Sequence, residues 1–272
     1  MSAAISTVRS LLARHGIQAR SVQAAWGGRE HHVCKVLLED GRAMVAKVPL
    51  ADGYRPRHWP EGGSARPLEA EAEAIALVRG VEVAVPSLIL DGDPPIALQP
   101  LLPGRPPEQE LIERGLSRGS VETLCWQMGR VLATIHRVKR PADTASVIPT
   151  LPGAELDRAR LLHMDYHLGN VVGVRNLRDG WRITGVVDWT CCAWGPRTAD
   201  FVELGASLFA TNPWGLDPFL LGYREVSGLR MIREQVQAEM ATALAERLVH
   251  EPPASEQIAR LWKMRVADWG TP

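Results

Sequence analysis

The sequence predicts an α+β fold in two lobes, an antiparallel sheet carrying one helix followed by a mainly helical half. Three observations predict it. Strand-like runs separated by turn residues crowd the N-terminal third of the chain. From Val121 onward, apolar residues recur at helical spacing. Between the two patterns lies a Pro-rich stretch, Gln99–Pro107 (QPLLPGRPP), that reads as a connector. The expected division is therefore residues 1–98 as the sheet-bearing lobe, 99–107 as the hinge and 108–272 as the helical lobe.

The elements follow in order. Ile5, Val8, Leu11 and Leu12 mark one face of an opening helix that Gly16 ends. Ala19–Trp26, His32–Leu38 and Ala43–Val48 read as strands, and Asp40-Gly41 between the last two is a hairpin signal. The Pro-, Gly- and Arg-rich run Pro49–Arg66 reads as a loop. A helix then opens at Pro67 and closes at Gly80, with Leu68, Ile75 and Val78 on its buried face. Glu71 shares that face, whereas Glu69 and Glu73 point to solvent. A carboxylate on a buried stripe needs a partner, because an unpaired buried charge is costly. Pro86–Leu90 and Pro95–Gln99 complete the sheet.

In the second half, Val121, Leu124, Cys125, Met128, Val131, Leu132 and Ile135 form an unbroken amphipathic stripe. Ile183–Val187 reads as an apolar strand. Ala199–Ala210, Pro218–Val226, Ile232–Val249 and Ser255–Val266 read as helices.

Bulk properties exclude several classes. The 272 residues carry 31 basic and 31 acidic side chains, a formal net charge of zero, which argues against a nucleic-acid partner. Hydrophobic residues at 46% and charged residues at 23% are ordinary for a globular protein. No apolar run approaches the ~18 residues of a membrane span, and the N-terminus lacks a secretory pattern. Cys34, Cys125, Cys191 and Cys192 have neither zinc-site nor disulfide-framework spacing. A cytoplasmic protein is expected.

The chemistry concentrates in LLHMDYHLGNVV, Leu161–Val172, and in ITGVVDW, Ile183–Trp189. Phosphoryl transfer asks a protein for positioning and charge stabilisation rather than covalent chemistry. Asp165 is placed to receive the proton of an attacking hydroxyl. Asn170, five residues on, and Asp188, at the end of a strand, supply an amide and a carboxylate, hard oxygen donors suited to Mg²⁺ on a nucleotide's phosphates. Taken singly, each has a plainer explanation as a turn or capping residue; the ordered set is harder to obtain by chance. His163-x-Asp165-x-His167 also carries zinc-type ligands, so a metal hydrolase is the rival chemistry.

His163-Met164-Asp165 through Asn170, then Val187-Asp188-Trp189, then Gly195-Pro196 and Asp200, resembles the aminoglycoside phosphotransferase family, relatives of the protein kinases. Its members carry H-G-D-x-x-x-x-N, an apolar strand ending in D-W or D-F, and G-D-P-x-x-D-L. Lys47, Glu71 and the helix end Leu132–His136 also fall in family order. The resemblance implies a two-lobed protein-kinase-like fold. It implies Asp165 as catalytic base, Asn170 and Asp188 as Mg²⁺ ligands, and His163 and Asp200 as supports of the catalytic loop. Lys47, paired with Glu71, would meet the α/β-phosphates. Gly27 and Gly28 would form the turn over the phosphates, although Gly27-Gly28 is equally a plain hairpin turn. Leu98 and Gln99 would occupy the hinge beside the adenine.

Two departures stand out: Met164 replaces the usual glycine, and Gly195-Pro196 lacks the intervening Asp. The span from His136 to His163 is short where many relatives insert substrate-binding helices, so Trp194, Glu203 and the C-terminal helices are the expected substrate contacts. The implied activity is transfer of the γ-phosphoryl group of ATP, or GTP, to a hydroxyl of a small molecule, an antibiotic foremost. A sugar, amino alcohol or other metabolite is the alternative acceptor, and a non-catalytic nucleotide-binding module the alternative role.

Overall fold

The structure, a computed structural model, describes residues 2–27, 31–50, 67–78, 88–92, 95–141, 145–176, 180–229, 233–250 and 256–270. It divides into two units. The first comprises residues 1–102 with two returning segments, 145–149 and 189–191; the second comprises the remainder. No pattern in the sequence signals those returns.

In the first unit, α1 (Ser2–Arg14) precedes β1 (Ala19–Gly27), β2 (His31–Leu38) and β3 (Ala43–Pro49), then α2 (Pro67–Leu77), β4 (Leu88–Leu90) and β5 (Ile96–Pro100). The strands form one antiparallel sheet in the order β1-β2-β3-β5-β4. Alternation along a strand sends successive side chains to opposite faces. Ala46 and Val48 of β3 therefore join Val36, Leu98 and Ile96 in a core with Val8, Leu11 and Leu12 of α1. Lys47, between them, goes to the other face and meets α2. That alternation is what delivers a lysine to a buried carboxylate.

The face of α2 is as the spacing predicts, with Leu68, Glu71, Ile75 and Val78 buried. Glu73 corrects the expectation of a solvent-facing residue. It is half-buried and accepts the Ser146 hydroxyl at 2.5 Å and the Val147 N–H at 2.8 Å. A returning segment thus covers a side chain that spacing alone assigns to water. Glu69 is also half-buried. Gly80, the expected helix end, and nearly all of the Pro49–Arg66 run lie outside the described residues.

The second unit is built on helices. α3 (Pro107–Arg114) is followed by α4 (Arg118–Ile135), whose first turn is capped by Ser117 accepting the Ser120 N–H at 3.2 Å. Four short strands come next, β6 (Arg160–Leu162), β7 (Val171–Asn176), β8 (Gly180–Val186) and β9 (Ala193–Gly195), paired antiparallel as β6–β9 and β7–β8. α5 (Phe201–Leu204), α6 (Leu216–Ser227), α7 (Arg233–His250) and α8 (Glu256–Gly270) complete it.

The single helix expected over Ala199–Ala210 is instead a 3-10 turn at Arg197–Asp200, α5, and a π-turn at Gly205–Phe209. The wider turn is supported from outside: Trp262 Nε1–H donates to the Ala206 carbonyl and Arg265 Nε–H to that of Ala210, each at 3.0 Å. Side-chain donors from α8 satisfy carbonyls near a helix end, where intrahelical partners run out. No described helix is long and apolar enough to cross a membrane. All four cysteines are buried, and none is in a disulfide among the described residues.

Candidate active site

Between β6 and β7 the chain makes a tight loop, 163–170, whose polar groups are almost entirely engaged. His163 is fully buried, and its Nδ1 accepts the Asp165 backbone N–H at 3.3 Å. The ring proton therefore sits on Nε2, which donates to the Val187 carbonyl at 3.0 Å. Burial lowers the pKa of this ring, against the raising fields of Asp200, Asp165 and Asp188, so it stays neutral. All three carboxylates lie close enough for their charge to act on one imidazole. The loop and the segment after β8 are thus brought together.

Asn170 closes the loop. Its Nδ2 donates to the Asp165 carbonyl at 2.9 Å and to Asp165 Oδ2 at 2.6 Å. Its backbone carbonyl accepts the Val187 N–H at 2.8 Å, one residue before Asp188. Both bonds use the Nδ2 donor, which leaves Oδ1 of Asn170 as the acceptor end of the amide. Asp188 has a φ of 66°, the left-handed region that an aspartate enters only with support. Asp165, Asn170 and Asp188 are each half-buried. An amide oxygen and a carboxylate, tethered through the Val187–Asn170 bond, suit the hard-oxygen preference of Mg²⁺.

Beneath the loop lies Asp200, 1% exposed. Its carboxylate accepts three N–H groups: His163 N at 2.9 Å, Met164 N at 2.6 Å and His136 Nε2 at 2.9 Å. Burial alone would raise its pKa. The hydrogen bonds from His136 and from the His163 N–H outweigh this, and the carboxyl ends below its ordinary value. Met164, whose own N–H is one of the three, has a φ of 63°. Behind His136, Nδ1 meets the Tyr223 hydroxyl at 2.8 Å.

In the first unit, Lys47 Nζ donates to Glu71 at 2.9 Å and 3.2 Å, with the pair 6% and 0% exposed. Gln99, 4% exposed, donates its side-chain amide to the same carboxylate. Glu71 is thus held as the ionised partner of a buried lysine, whose ammonium is kept in place without a flexible search.

A family model, that of the phosphotransferase enzyme family, matches residues 21–160 and 145–234. The chain belongs to this family. No curated protein sequence matches it significantly. Among solved structures, a macrolide 2′-phosphotransferase from Brachybacterium faecium aligns over 98% of both chains at 17% identity and a TM-score of 0.57. The GDP complex of aminoglycoside 2′-phosphotransferase-IIIa aligns over 97% of this chain and 99% of that one, at 14% identity and a TM-score of 0.62. An ethanolamine kinase from Plasmodium vivax aligns over 93% and 82%, at 10% identity and a TM-score of 0.54. These likenesses establish the protein-kinase-like α+β fold.

Several residues of this phosphotransferase lie elsewhere than expected. Trp194 is fully buried in β9, and its carbonyl accepts the Leu151 N–H at 2.9 Å, so it is a core residue rather than a substrate contact. Leu98 is also a core side chain, and its backbone lies within β5, opposite Ala46 of β3 and Leu88 of β4. Its polar groups belong to the sheet, not to an adenine edge. Gln99 turns its amide to Glu71. Gly27 ends β1 opposite His32; Gly28 and the side chain of Glu203 are outside what is described.

The zinc reading fails on geometry. Both ring nitrogens of His163 are engaged, and no group of three or more metal-ligating His, Cys, Asp or Glu exists among the described residues. Sequence reasoning missed Tyr223 and the service of His136, and it set Gln99 beside the adenine rather than on Glu71. Only His136 carried a signal, at the end of the α4 stripe.

Proposed function

We propose that this phosphotransferase moves the γ-phosphoryl group of ATP, or GTP, to a hydroxyl of a small molecule. The observation that carries this reading is the cross-linked set Asp165–Asn170–Val187-Asp188, which presents a candidate base and two hard oxygen donors from one rigid loop system.

Asp165 receives the hydroxyl proton as the acceptor oxygen forms its bond to the γ-phosphorus. The bond from that phosphorus to the bridging oxygen breaks, and the nucleoside diphosphate leaves. Oδ2 of Asp165 is fixed by Asn170, and Oδ1 lies 3.5 Å from His167 Nε2. The carboxylate is therefore oriented before substrate arrives, which is where a positioned base gains its advantage. Asn170 Oδ1 and the Asp188 carboxylate would hold Mg²⁺, which when bound offsets phosphate charge. Lys47, held by Glu71, would meet the α/β-phosphates.

The foremost acceptor class is an antibiotic, by likeness to macrolide and aminoglycoside phosphotransferases along nearly the whole chain. A metabolite such as a sugar or amino alcohol is the second reading. It is favoured by the span 137–159, which carries no helix among its described residues and so little surface for a large acceptor. Mass spectrometry of a library of antibiotics and hydroxylated metabolites, incubated with MgATP or MgGTP, tests both. A phosphate gained by a member of either set identifies the class. Phosphate gained by none, with no nucleotide bound, defeats the proposal.

A further inference from the structure

The catalytic loop stands on a chain of buried side chains that reaches well past Asp200. Tyr223 of α6 contacts His136 at the C-terminal cap of α4, His136 contacts Asp200, and Asp200 accepts the N–H groups of His163 and Met164. Tyr223, His136 and Asp200 are each 1% exposed or less. Every link lies within hydrogen-bonding distance, between 2.6 and 2.9 Å.

The proton inventory gives the chain a direction. The Asp200 carboxylate can only accept, so the His136 ring proton is on Nε2, and Nδ1 is left to accept the Tyr223 O–H. Burial raises the pKa of that phenol, which keeps its proton. Asp200 thus collects three donors while anionic, and the two backbone N–H groups it holds are those of the left-handed Met164 and of the residue before it. Removing the phenol would leave Nδ1 of a buried imidazole without its donor.

The far end of the chain is as constrained as the near end. α4 and α6 approach backbone to backbone through two glycines. A Cβ on Gly129 would lie 2.1 Å from the Phe219 carbonyl oxygen, and one on Gly222 would lie 2.0 Å from that of Trp126. Phe201 and Phe219 pack around the Tyr223 ring at centroid distances of 5.5 and 6.4 Å. The phenol is therefore packed on all sides, and its place against His136 is set by α6.

We propose that Tyr223 is a positioning residue for phosphoryl transfer, acting through His136 and Asp200 on the backbone of the catalytic loop at His163 and Met164. This rests on the phosphotransferase reading above and names one further member of that site. Its role is to fix where Asp165 sits, not to touch substrate.

The test compares Tyr223→Phe, His136→Gln and His136→Leu with the wild type in two readouts. The first is kcat and KM for MgATP hydrolysis, with water as the acceptor. The second is the NMR shift and exchange protection of the His163 and Met164 amide protons. Tyr223→Phe is expected to lower kcat about 3–10-fold with KM for MgATP unchanged, the scale of one hydrogen bond. His136→Leu should lose more, and His136→Gln, which keeps a donor towards Asp200, should recover part of it. Both amides should lose protection in step with kcat.

Unchanged kcat and unchanged amides in Tyr223→Phe would overturn the proposal. So would a matched loss of kcat, affinity and unfolding midpoint that the Gln variant does not relieve. Should the wild type neither bind nor hydrolyse a nucleotide, the functional reading fails, and the amide signals alone decide whether the relay holds the loop.

Discussion

Asp200 holds the N–H of Met164 at 2.6 Å, and Met164 is one of two non-glycine residues described with positive φ. The left-handed region costs an L-residue roughly 1–2 kcal/mol. The buried carboxylate, with its two backbone donors, offsets that cost at the point where the loop must turn. The residue before the candidate base is therefore held in a pose it would not choose. The same holds for Asp188, whose neighbour Val187 is fixed through both its N–H and its carbonyl.

Met164→Gly removes the left-handed penalty but adds about 0.5–1 kcal/mol of backbone entropy. It also loses a half-buried side chain. Stability should stay within about 1 kcal/mol of wild type. Met164→Val places a β-branched residue where it fits worst and should cost about 1–2 kcal/mol more than the glycine variant. Urea unfolding of both variants measures the difference, and a valine variant as stable as the glycine one contradicts the strain.

Asp165→Ala should cut turnover by about 10²–10⁴-fold, the scale of a positioned general base. Nucleotide binding, followed by calorimetry with MgADP, should be near normal. Asp188→Asn should weaken both. A variant of Asp188 that loses only thermal stability would mark that residue as a structural cap.

Lys47 and Glu71 should behave as a unit. Removing one partner strands the other in a buried setting, at a cost of about 3–5 kcal/mol, whereas removing both costs less than the sum. The coupling in a double-mutant cycle of Lys47→Met and Glu71→Met, read by urea unfolding, should be about 0.5–3 kcal/mol. Additive losses would dissolve the pairing. Gln99→Leu should reduce the coupling further, since its amide donates to the same carboxylate.

These sites differ in how far the sequence reveals them. Glu71 was legible because helical spacing put a carboxylate on an apolar stripe; Lys47 was named as its partner only through the family resemblance. The five strands of the sheet were legible through a periodicity of 2 between turn residues. The short strands β6, β7 and β9 were not, because three to six residues carry too little pattern and their pairing is long-range. Trp194 was misplaced because an aromatic side chain looks alike whether it stacks on a ligand or fills a core. Tyr223 was invisible, since nothing local marks a phenol that serves a histidine 87 positions earlier.

Acid should weaken the fold in two steps, the first of them traceable to His163. Its pKa is depressed below the ordinary 6.5 by burial, so between those two values the unfolded chain binds a proton that the folded chain does not. More protons on the unfolded side means stability rises with pH across that window, and is lost as pH falls below about 6.5. Asp200, held below its ordinary 3.8 mainly by the His136 bond against the opposing effect of burial, acts with the same sign lower down. Its contribution is present above about 3.8 and is lost on further acidification. Urea midpoints measured at intervals from about pH 8 to pH 5 should fall on the acid side in the wild type, and the fall should shrink in His163→Asn, whose amide cannot titrate. An identical slope in that variant would mean that the ring titrates alike in the folded and unfolded chain, and that burial does not depress it.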